Sequence, residues 1–181
     1  MSGCSAGPTF VEARAMRDIL LRAAPLTAEQ FAPYGDVIEI DARASSWINE
    51  GTSRRFDDLA EVDVMEAGGR PLISIFEATP RPMPFRVCAM ERHPISSQAF
   101  FPLEGRRFLI VVAEEGPLPI ADRLHVYLSS GAQGVNYRRN TWHHPLIALE
   151  RTCHFLVVDR GGPGENCEEI AVGEQAILVS V

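Results

Sequence analysis

The sequence predicts an all-β domain, an antiparallel β-barrel or sandwich with one or two short helices. From Asp36 onward, short apolar or alternating runs are separated by Gly, Pro, Asn and Asp, which is typical of strands and turns. Helical periodicity is scarce, and no segment is long enough for a helix that connects parallel strands. The 181 residues, 46% hydrophobic and 23% charged, suit one globular domain with its own core.

The elements are predicted in the following order. Residues 1–23 form a loosely ordered N-terminal extension, in which Met16 is a second candidate start, and residues 24–181 form a single domain. Thr27 and Gln30 have the spacing of a capping box and predict a short helix that ends before Pro33. One or two further helical turns fit residues 59–65. Strands are predicted at residues 37–40, 72–76, 85–90, 98–101, 108–113, 125–128, 134–137, 142–149, 155–159 and 176–179.

The charged residues exclude several classes of function. The 17 basic and 24 acidic residues give a net charge of -7, the wrong sign for binding nucleic acid or an anionic membrane surface. Every basic residue is arginine, which excludes a lysine Schiff base, attachment of pyridoxal phosphate and a P-loop lysine. No apolar stretch approaches the roughly 20 residues of a membrane span. The cysteines form no C-x-x-C pair, so we expect free thiols in a cytoplasmic protein.

Candidate site residues fall in two clusters, of which the first runs from Met90 to Gln98. Glu91 and His93 point to the same face of a strand because the side-chain period is two, so they can converge on one atom. Pro94 ends the strand, and Gln98 begins the returning strand near the same pocket. Taken alone, such polar residues more often make the local hydrogen bonds of a hairpin rim.

The second cluster runs from Gln133 to Leu146 and contains Tyr137, two arginines and two histidines. Neighbouring side chains on a strand face opposite sides, so only one of His143 and His144 can enter the interior. The same holds for Arg138 and Arg139. Adjacent histidines alone are more often surface or packing residues than ligands.

The spacing within both clusters resembles the two motifs of the cupin barrels. Glu91-x-His93, followed after four residues by Gln98, matches the first motif with two substitutions. Arg138-x-Asn140-x-x-His143 matches the second in spacing but lacks its Pro and Gly. The resemblance implies a cupin-like fold in which Glu91, His93, Gln98 and His143 hold a divalent metal. Two histidines and a carboxylate suit a transition metal, whereas a neutral amide is a weaker ligand.

A closer resemblance is to the ureidoglycolate lyase family. It is carried in order by Ala60-Glu61-Val62-Asp63, Glu91-Arg92-His93-Pro94, Ser97-Gln98-Ala99-Phe100-Phe101-Pro102, Gln133-Gly134-Val135-Asn136-Tyr137, Thr141-Trp142-His143-His144-Pro145-Leu146 and Phe155-Leu156-Val157-Val158-Asp159-Arg160. The resemblance implies a homodimeric lyase of allantoin and purine degradation that splits (S)-ureidoglycolate into glyoxylate and urea. It also implies a divalent cation, with Ni²⁺ the candidate; we expect no nucleotide, flavin or pyridoxal phosphate.

The implied reaction assigns roles to these residues. Ureidoglycolate is an anionic carbinolamine, so its hydroxyl proton must leave, the urea nitrogen must be protonated, and an arginine can hold the carboxylate. We expect His93 or His143 to take the proton, Glu91 to orient an imidazole or ligate the metal, and Tyr137 to protonate the leaving nitrogen. The expected substrate-binding residues are Gln98 for the urea group, Arg92, Arg138 or Arg139 for the carboxylate, and Ser74. His144 is expected to be either a second donor in the pocket or a dimer-interface residue.

Two alternative functions stay open. The first is another small-molecule cupin enzyme, such as an isomerase of a hydroxy acid or an amidohydrolase that converts ureidoglycolate to ammonia and carbon dioxide. The second is a non-enzymatic, ligand-sensing barrel, which the acidic charge disfavours. All of the assigned roles require His93 and His143 to share one cavity.

Overall fold

The computed structural model describes residues 18–41, 45–114, 123–172 and 177–181. These residues form one short helix, α1 (Ala28–Phe31), among many strands. The strands are β1 (Ile19–Arg22), β2 (Ala24–Pro25), β3 (Gly35–Ile38), β4 (Ser45–Ile48), β5 (Ser53–Phe56), β6 (Arg70–Ala78), β7 (Phe85–Val87), β8 (Ala89–Arg92), β9 (Gln98–Pro102), β10 (Phe108–Ala113), β11 (Leu124–Leu128), β12 (Gly134–Tyr137), β13 (Trp142–His143), β14 (Ile147–Ala148), β15 (Cys153–Gly161), β16 (Glu168–Ala171) and β17 (Ile177–Ser180).

Three sheets form layers, and a separate hairpin joins β4 to β5. The middle sheet has the order β16-β8-β13-β10-β11-β2, with β14 also paired to β10. One outer sheet has the order β3-β12-β9-β15-β6 and the other the order β1-β17-β7. Neighbouring strands are antiparallel except in the pairs β1–β17 and β2–β11.

Strand β10 explains the layering, because all six of its residues are buried. Phe108, Ile110 and Val112 belong to the core shared with β9, β12 and β15. Leu109 and Val111 belong to the core on the opposite face, shared with β7 and β17. Complete burial of such an apolar side chain contributes roughly 1.5–3 kcal/mol. A continuous apolar run therefore forms the centre of the middle sheet rather than a half-exposed strand.

The prediction of an all-β, largely antiparallel domain is confirmed, and the sandwich describes it better than the barrel. The pairings among the described strands do not close, because the five-stranded sheet has free edges at β3 and β6. The helix before Pro33 is confirmed: the Thr27 hydroxyl accepts a hydrogen bond from the Gln30 N–H and caps α1.

The helical turns expected at residues 59–65 are wrong. The segment has no helical turn, because Asp63 and Ser97 bond reciprocally instead: the Ser97 N–H donates to the Asp63 carbonyl, and the Asp63 N–H donates to Ser97 Oγ. A 3₁₀ turn follows at Glu66–Gly68.

The N-terminal extension is partly ordered. Ile19–Arg22 pairs in parallel with β17, and Leu21 packs on the core beside it, so the expectation of a loosely held chain is wrong for these four residues. Residues 1–17, including the candidate start Met16, lie outside the described residues. No helix in the described ranges is long and apolar enough to cross a membrane.

Strand alternation directs polar residues of β8 and β13 into the space between the middle and five-stranded sheets. Val112 lies opposite His143, and His143 lies opposite Glu91, so all three side chains share the inward face. Trp142 belongs to the core on the other face of the middle sheet.

Candidate active site

The structure brings Glu91, His93 and His143 together from the two sequence clusters. Their candidate ligand atoms all lie within 4.8 Å of one another. The His143 Nε2 atom is 3.4 Å from Glu91 Oε1, and the centroids of the two imidazole rings are 5.3 Å apart. Sheet pairing places Glu91 opposite His143, while His93 follows directly after the end of β8.

Both imidazoles are held in the same tautomer by the backbone. His93 Nδ1 lies 2.6 Å from the Asn166 carbonyl oxygen, and His143 Nδ1 lies 2.8 Å from that of Thr141. A carbonyl oxygen only accepts hydrogen bonds, so each Nδ1 carries a proton and donates it. In the neutral rings, both Nε2 lone pairs are consequently available to the site.

The two Nε2 atoms have different surroundings. His143 is only 1% exposed, and its Nε2 has no well-formed hydrogen bond among the described residues. His93 Nε2 lies 3.0 Å from the side-chain amide of Gln98. A neutral His93 with its proton on Nδ1 needs a donor at Nε2, which the Gln98 NH₂ group supplies when its amide is turned over.

Glu91 is the member of this group that reaches the cavity described below. Burial alone would raise the pKa of Glu91, but the contact with His143 and the charges of His143, His93 and His144 hold this pKa below its usual value. Glu91 is therefore a carboxylate at neutral pH.

Tyr137 supports His143 from the adjacent layer. The two rings are stacked, with centroids 4.1 Å apart and planes inclined by 13°. Burial, and then the charge of Glu91, raises the pKa of the Tyr137 hydroxyl far above its ordinary value. The hydroxyl keeps its proton at neutral pH and is a weak acid, so Tyr137 fits the positioning of His143 better than the proton-donor role expected from the sequence.

A cavity of about 520 Å³ opens beside this group. The apolar part of its wall includes Phe76, Phe100 and Leu146. The polar lining residues are Glu77, Thr79, Arg81, Glu91 and Gln98. Arg81 is the one basic residue that the described chain contributes to this wall. The cavity therefore combines a carboxylate, an amide and a guanidinium around a space suited to a small molecule.

The arginines expected from the sequence are engaged elsewhere. Arg92 faces away from Glu91, because neighbouring strand residues alternate: its guanidinium lies over the Trp142 ring at 4.6 Å and its Nε donates to Glu168. Arg138 donates to the Ala32 carbonyl. Arg139 forms two hydrogen bonds with the Asp63 carboxylate. These three arginines do not line the cavity that contains Glu91, so their contact with the substrate carboxylate stays a prediction that this cavity does not support.

Ser74 and His144 also lie outside the cavity wall. Ser74 faces inward opposite Val157, two residues before Phe76 on the same face of β6. The His144 ring packs edge-on against Phe85 at 5.1 Å, and its Nδ1 lies 2.8 Å from the Pro145 carbonyl oxygen. Burial lowers the pKa of His144, so this ring is neutral at neutral pH.

Sequence reasoning missed Arg81 and Asn166. Arg81 lies between Pro80 and Pro82, and its N–H donates to the Ala148 carbonyl, which fixes this segment beside the cavity. The Asn166 carbonyl oxygen accepts a hydrogen bond from His93 Nδ1. The Asn166 side chain accepts from the Ile95 N–H and donates to Ser96 Oγ. The signal for Arg81 was an arginine between two prolines at the end of an apolar strand, whereas Asn166 gave none.

The Glu91, His93 and His143 group can hold a metal ion. Two imidazole nitrogens and a carboxylate oxygen are a donor set that divalent transition metals favour. Histidine ligands typically donate their other ring N–H to a carbonyl or carboxylate, which is the arrangement of both Nδ1 atoms here. The buried, unbonded Nε2 of His143 is the clearest sign that the group accepts a further partner.

Comparison with known proteins decides the family. The family model described as ureidoglycolate lyase matches residues 18–179. The chain belongs to the ureidoglycolate lyase family. A protein named ureidoglycolate lyase from Burkholderia mallei (strain NCTC 10229) is 52% identical over 145 residues, covering 80% of this chain and 85% of its own. A protein of that name from Pseudomonas syringae pv. syringae (strain B728a) is 47% identical over 164 residues, covering 91% and 95% of the two chains. The expected ureidoglycolate lyase resemblance is thus confirmed.

Proposed function

We propose that this chain cleaves (S)-ureidoglycolate into glyoxylate and urea, as a cytoplasmic step of allantoin and purine degradation. The observation that carries the proposal is the Glu91, His93 and His143 group beside a cavity whose wall also contains Arg81. This arrangement provides a proton acceptor, a cation for the substrate carboxylate and an amide for the ureido group. The names of the relatives favour the lyase over the amidohydrolase and the sensing barrel.

The proton transfer follows from the position of Glu91 at the cavity. One oxygen of the Glu91 carboxylate accepts the proton of the substrate hydroxyl. The C–N bond breaks as the hydroxyl oxygen becomes the aldehyde oxygen of glyoxylate. Glu91 then returns the proton to the departing nitrogen, so that urea leaves intact and no water is consumed.

The remaining groups hold the substrate during this transfer. Arg81 pairs with the carboxylate, because a guanidinium matches a carboxylate in charge and in its two donors. Gln98 bonds the ureido group from β9, and its contact with His93 links that bond to the catalytic group. Tyr137 holds the His143 ring in place through their stacked faces.

We further propose that Glu91, His93 and His143, with Gln98 as a weaker neighbour, bind a divalent metal, with Ni²⁺ the candidate that the family implies. The metal would supply Lewis-acid polarisation of a substrate oxygen. The two backbone-bonded Nδ1 atoms keep both imidazoles oriented for it.

We also propose a homodimer formed through the five-stranded sheet. Strand β6 is a free edge of that sheet, and its outward face exposes Ile73 by 77% and Ile75 by 55%. Long apolar edge strands are usually covered by a partner. A second copy would cover this face and leave the inward side of β6, which lines the cavity, in place.

The function is tested by measuring glyoxylate, urea and ammonia released from (S)-ureidoglycolate by the purified chain, before and after treatment with a chelator. The proposal predicts glyoxylate and urea in equal amounts without ammonia, and a loss of rate on chelation that added Ni²⁺ restores. Release of ammonia would favour the amidohydrolase. No glyoxylate at saturating substrate would contradict the proposed reaction.

A further inference from the structure

One acidic side chain next to Gln98, which lines the cavity, has no assigned role. Asp159 lies on β15, opposite Leu72 of β6. On its other side the register pairs Val158 with Ala99, so the next residues in line are Asp159 and Gln98. Tyr137 lies opposite Gln98 on the far side of β9. Tyr137, Gln98 and Asp159 therefore form one polar row across the inward face of the sheet.

One oxygen of the Asp159 carboxylate lacks the hydrogen-bond donor that buried acids normally have. Its Oδ1 is buried and has no hydrogen-bond donor among the described residues. The neighbouring Arg160 does not pair with it, because its guanidinium donates to the carbonyl oxygens of Glu66 and Pro163. Burial raises the pKa of Asp159, and the charge of His93 partly opposes that rise, which places the carboxylate within electrostatic reach of the catalytic group.

An unbonded buried acceptor calls for a donor, and the substrate carries several. The ureido group has three N–H donors and one carbonyl acceptor, whereas the substrate carboxylate and hydroxyl are already assigned to Arg81 and Glu91. A single Gln98 amide cannot bond all of the ureido donors. A carboxylate next to Gln98 supplies the missing acceptor, and hydrogen bonds to a charged acceptor are stronger than neutral ones.

We propose that Asp159 and Gln98 together form a subsite for the ureido group, in which Asp159 Oδ1 accepts a hydrogen bond from the terminal NH₂. The inference rests on the proposed function, since it concerns the same substrate. The subsite selects a urea leaving group over an acetamide of similar size. Substrate binding also gives a donor to a buried carboxylate oxygen that otherwise has none.

Two uncleavable analogues isolate this contact. N-carbamoylglycine keeps the carboxylate and the ureido group but lacks the hydroxyl, and N-acetylglycine replaces its terminal NH₂ with a methyl group. Isothermal titration calorimetry measures the affinity of both for the wild type, Asp159→Ala, Asp159→Asn and the exposed control Asp18→Ala at pH 7.5. The wild type and the control should bind N-carbamoylglycine roughly tenfold or more tightly than N-acetylglycine, the difference expected of a hydrogen bond to a charged group.

The preference should fall to about twofold or less in Asp159→Ala and to an intermediate ratio in Asp159→Asn, whose amide oxygen still accepts. The affinity for N-acetylglycine should stay unchanged. Three results would each overturn the subsite. They are equal binding of the two analogues by the wild type, a preference for N-carbamoylglycine that Asp159→Ala keeps, and binding of both analogues by Asp159→Ala that is weaker by the same factor. If the variants do not fold, the ratio of the two affinities in the wild type still tests the subsite. If the wild type releases no glyoxylate, the proposed reaction is contradicted and the subsite is not, because the two affinities are measured without turnover.

Discussion

Replacing Arg81 tests whether the substrate carboxylate binds at the cavity beside Glu91 or at one of the arginines predicted from the sequence. Arg81→Gln removes the one basic group that the described chain places on the cavity wall. A hydrogen bond to a charged group contributes about 1.5–3 kcal/mol, or roughly 10–150-fold in affinity. Arg81 is exposed, which places the effect at the lower end, about 10–30-fold. The substrate carboxylate keeps its charge throughout the reaction, so the loss should appear in KM with kcat little changed.

The assay follows the initial rate of glyoxylate release as a function of (S)-ureidoglycolate concentration. Arg138→Gln and Arg139→Gln are the matched controls, because each makes the same chemical change at an arginine held by Asp36 or Asp63 outside this cavity. Both controls should keep KM within about twofold of the wild type. A KM for Arg81→Gln within that range, or a larger increase in either control, would refute the assignment of Arg81.

Three further predictions concern stability and the residues that face away from the site. Gly35→Ala should lower the free energy of unfolding by about 1–3 kcal/mol in urea denaturation, since its Cβ would lie 1.9 Å from the Asn136 carbonyl oxygen and its φ is +153°; an unchanged midpoint would contradict this packing. Arg92→Gln should leave kcat and KM within about twofold, because the side chain faces the other core; a large rise in KM would restore its role in binding. His154 lowers the pKa of Glu104 to about 2 through their hydrogen bond, so the stabilisation by Glu104 is complete above its unfolded pKa of roughly 4.3 and is lost as pH falls toward 2. The melting temperature of Glu104→Gln should therefore lie below that of the wild type between about pH 5 and pH 6, and approach it below pH 4. The difference should also shrink at higher pH as His154, whose pKa Glu104 raises, loses its proton; a constant offset down to pH 2.5 would contradict the assignment.

The fold was predictable where local patterns agree with tertiary packing. The apolar run of β10 and the Thr27 cap each follow from a few residues whose preferences the structure satisfies. The segment at residues 59–65 was not predictable, since its conformation depends on hydrogen bonds to Ser97, more than thirty residues away in sequence. The parallel pairing of β1 is likewise set by the edge of β17 opposite β7 and not by the four residues of β1 alone.

The candidate site could be predicted from the sequence only where strand alternation determines the face on which a side chain lies. Spacing alone places Glu91 and His93 on one face and relates them to His143, and the same rule turns Arg92 away. Alternation does not specify the neighbours across a sheet. The position of Arg81 at the cavity and the alignment of Asp159 with Gln98 depend on the register of β6, β9 and β15. That register is set by the packing of whole strands.

The most direct test of the central claim is the turnover number of Glu91→Gln at saturating (S)-ureidoglycolate, with urea and glyoxylate measured together. The amide keeps the size of the side chain but can neither accept the hydroxyl proton nor act as an anionic ligand. Turnover should fall by about 10²–10⁴-fold while the melting temperature stays near that of the wild type. A variant that still releases both products at close to the wild-type rate would contradict the account.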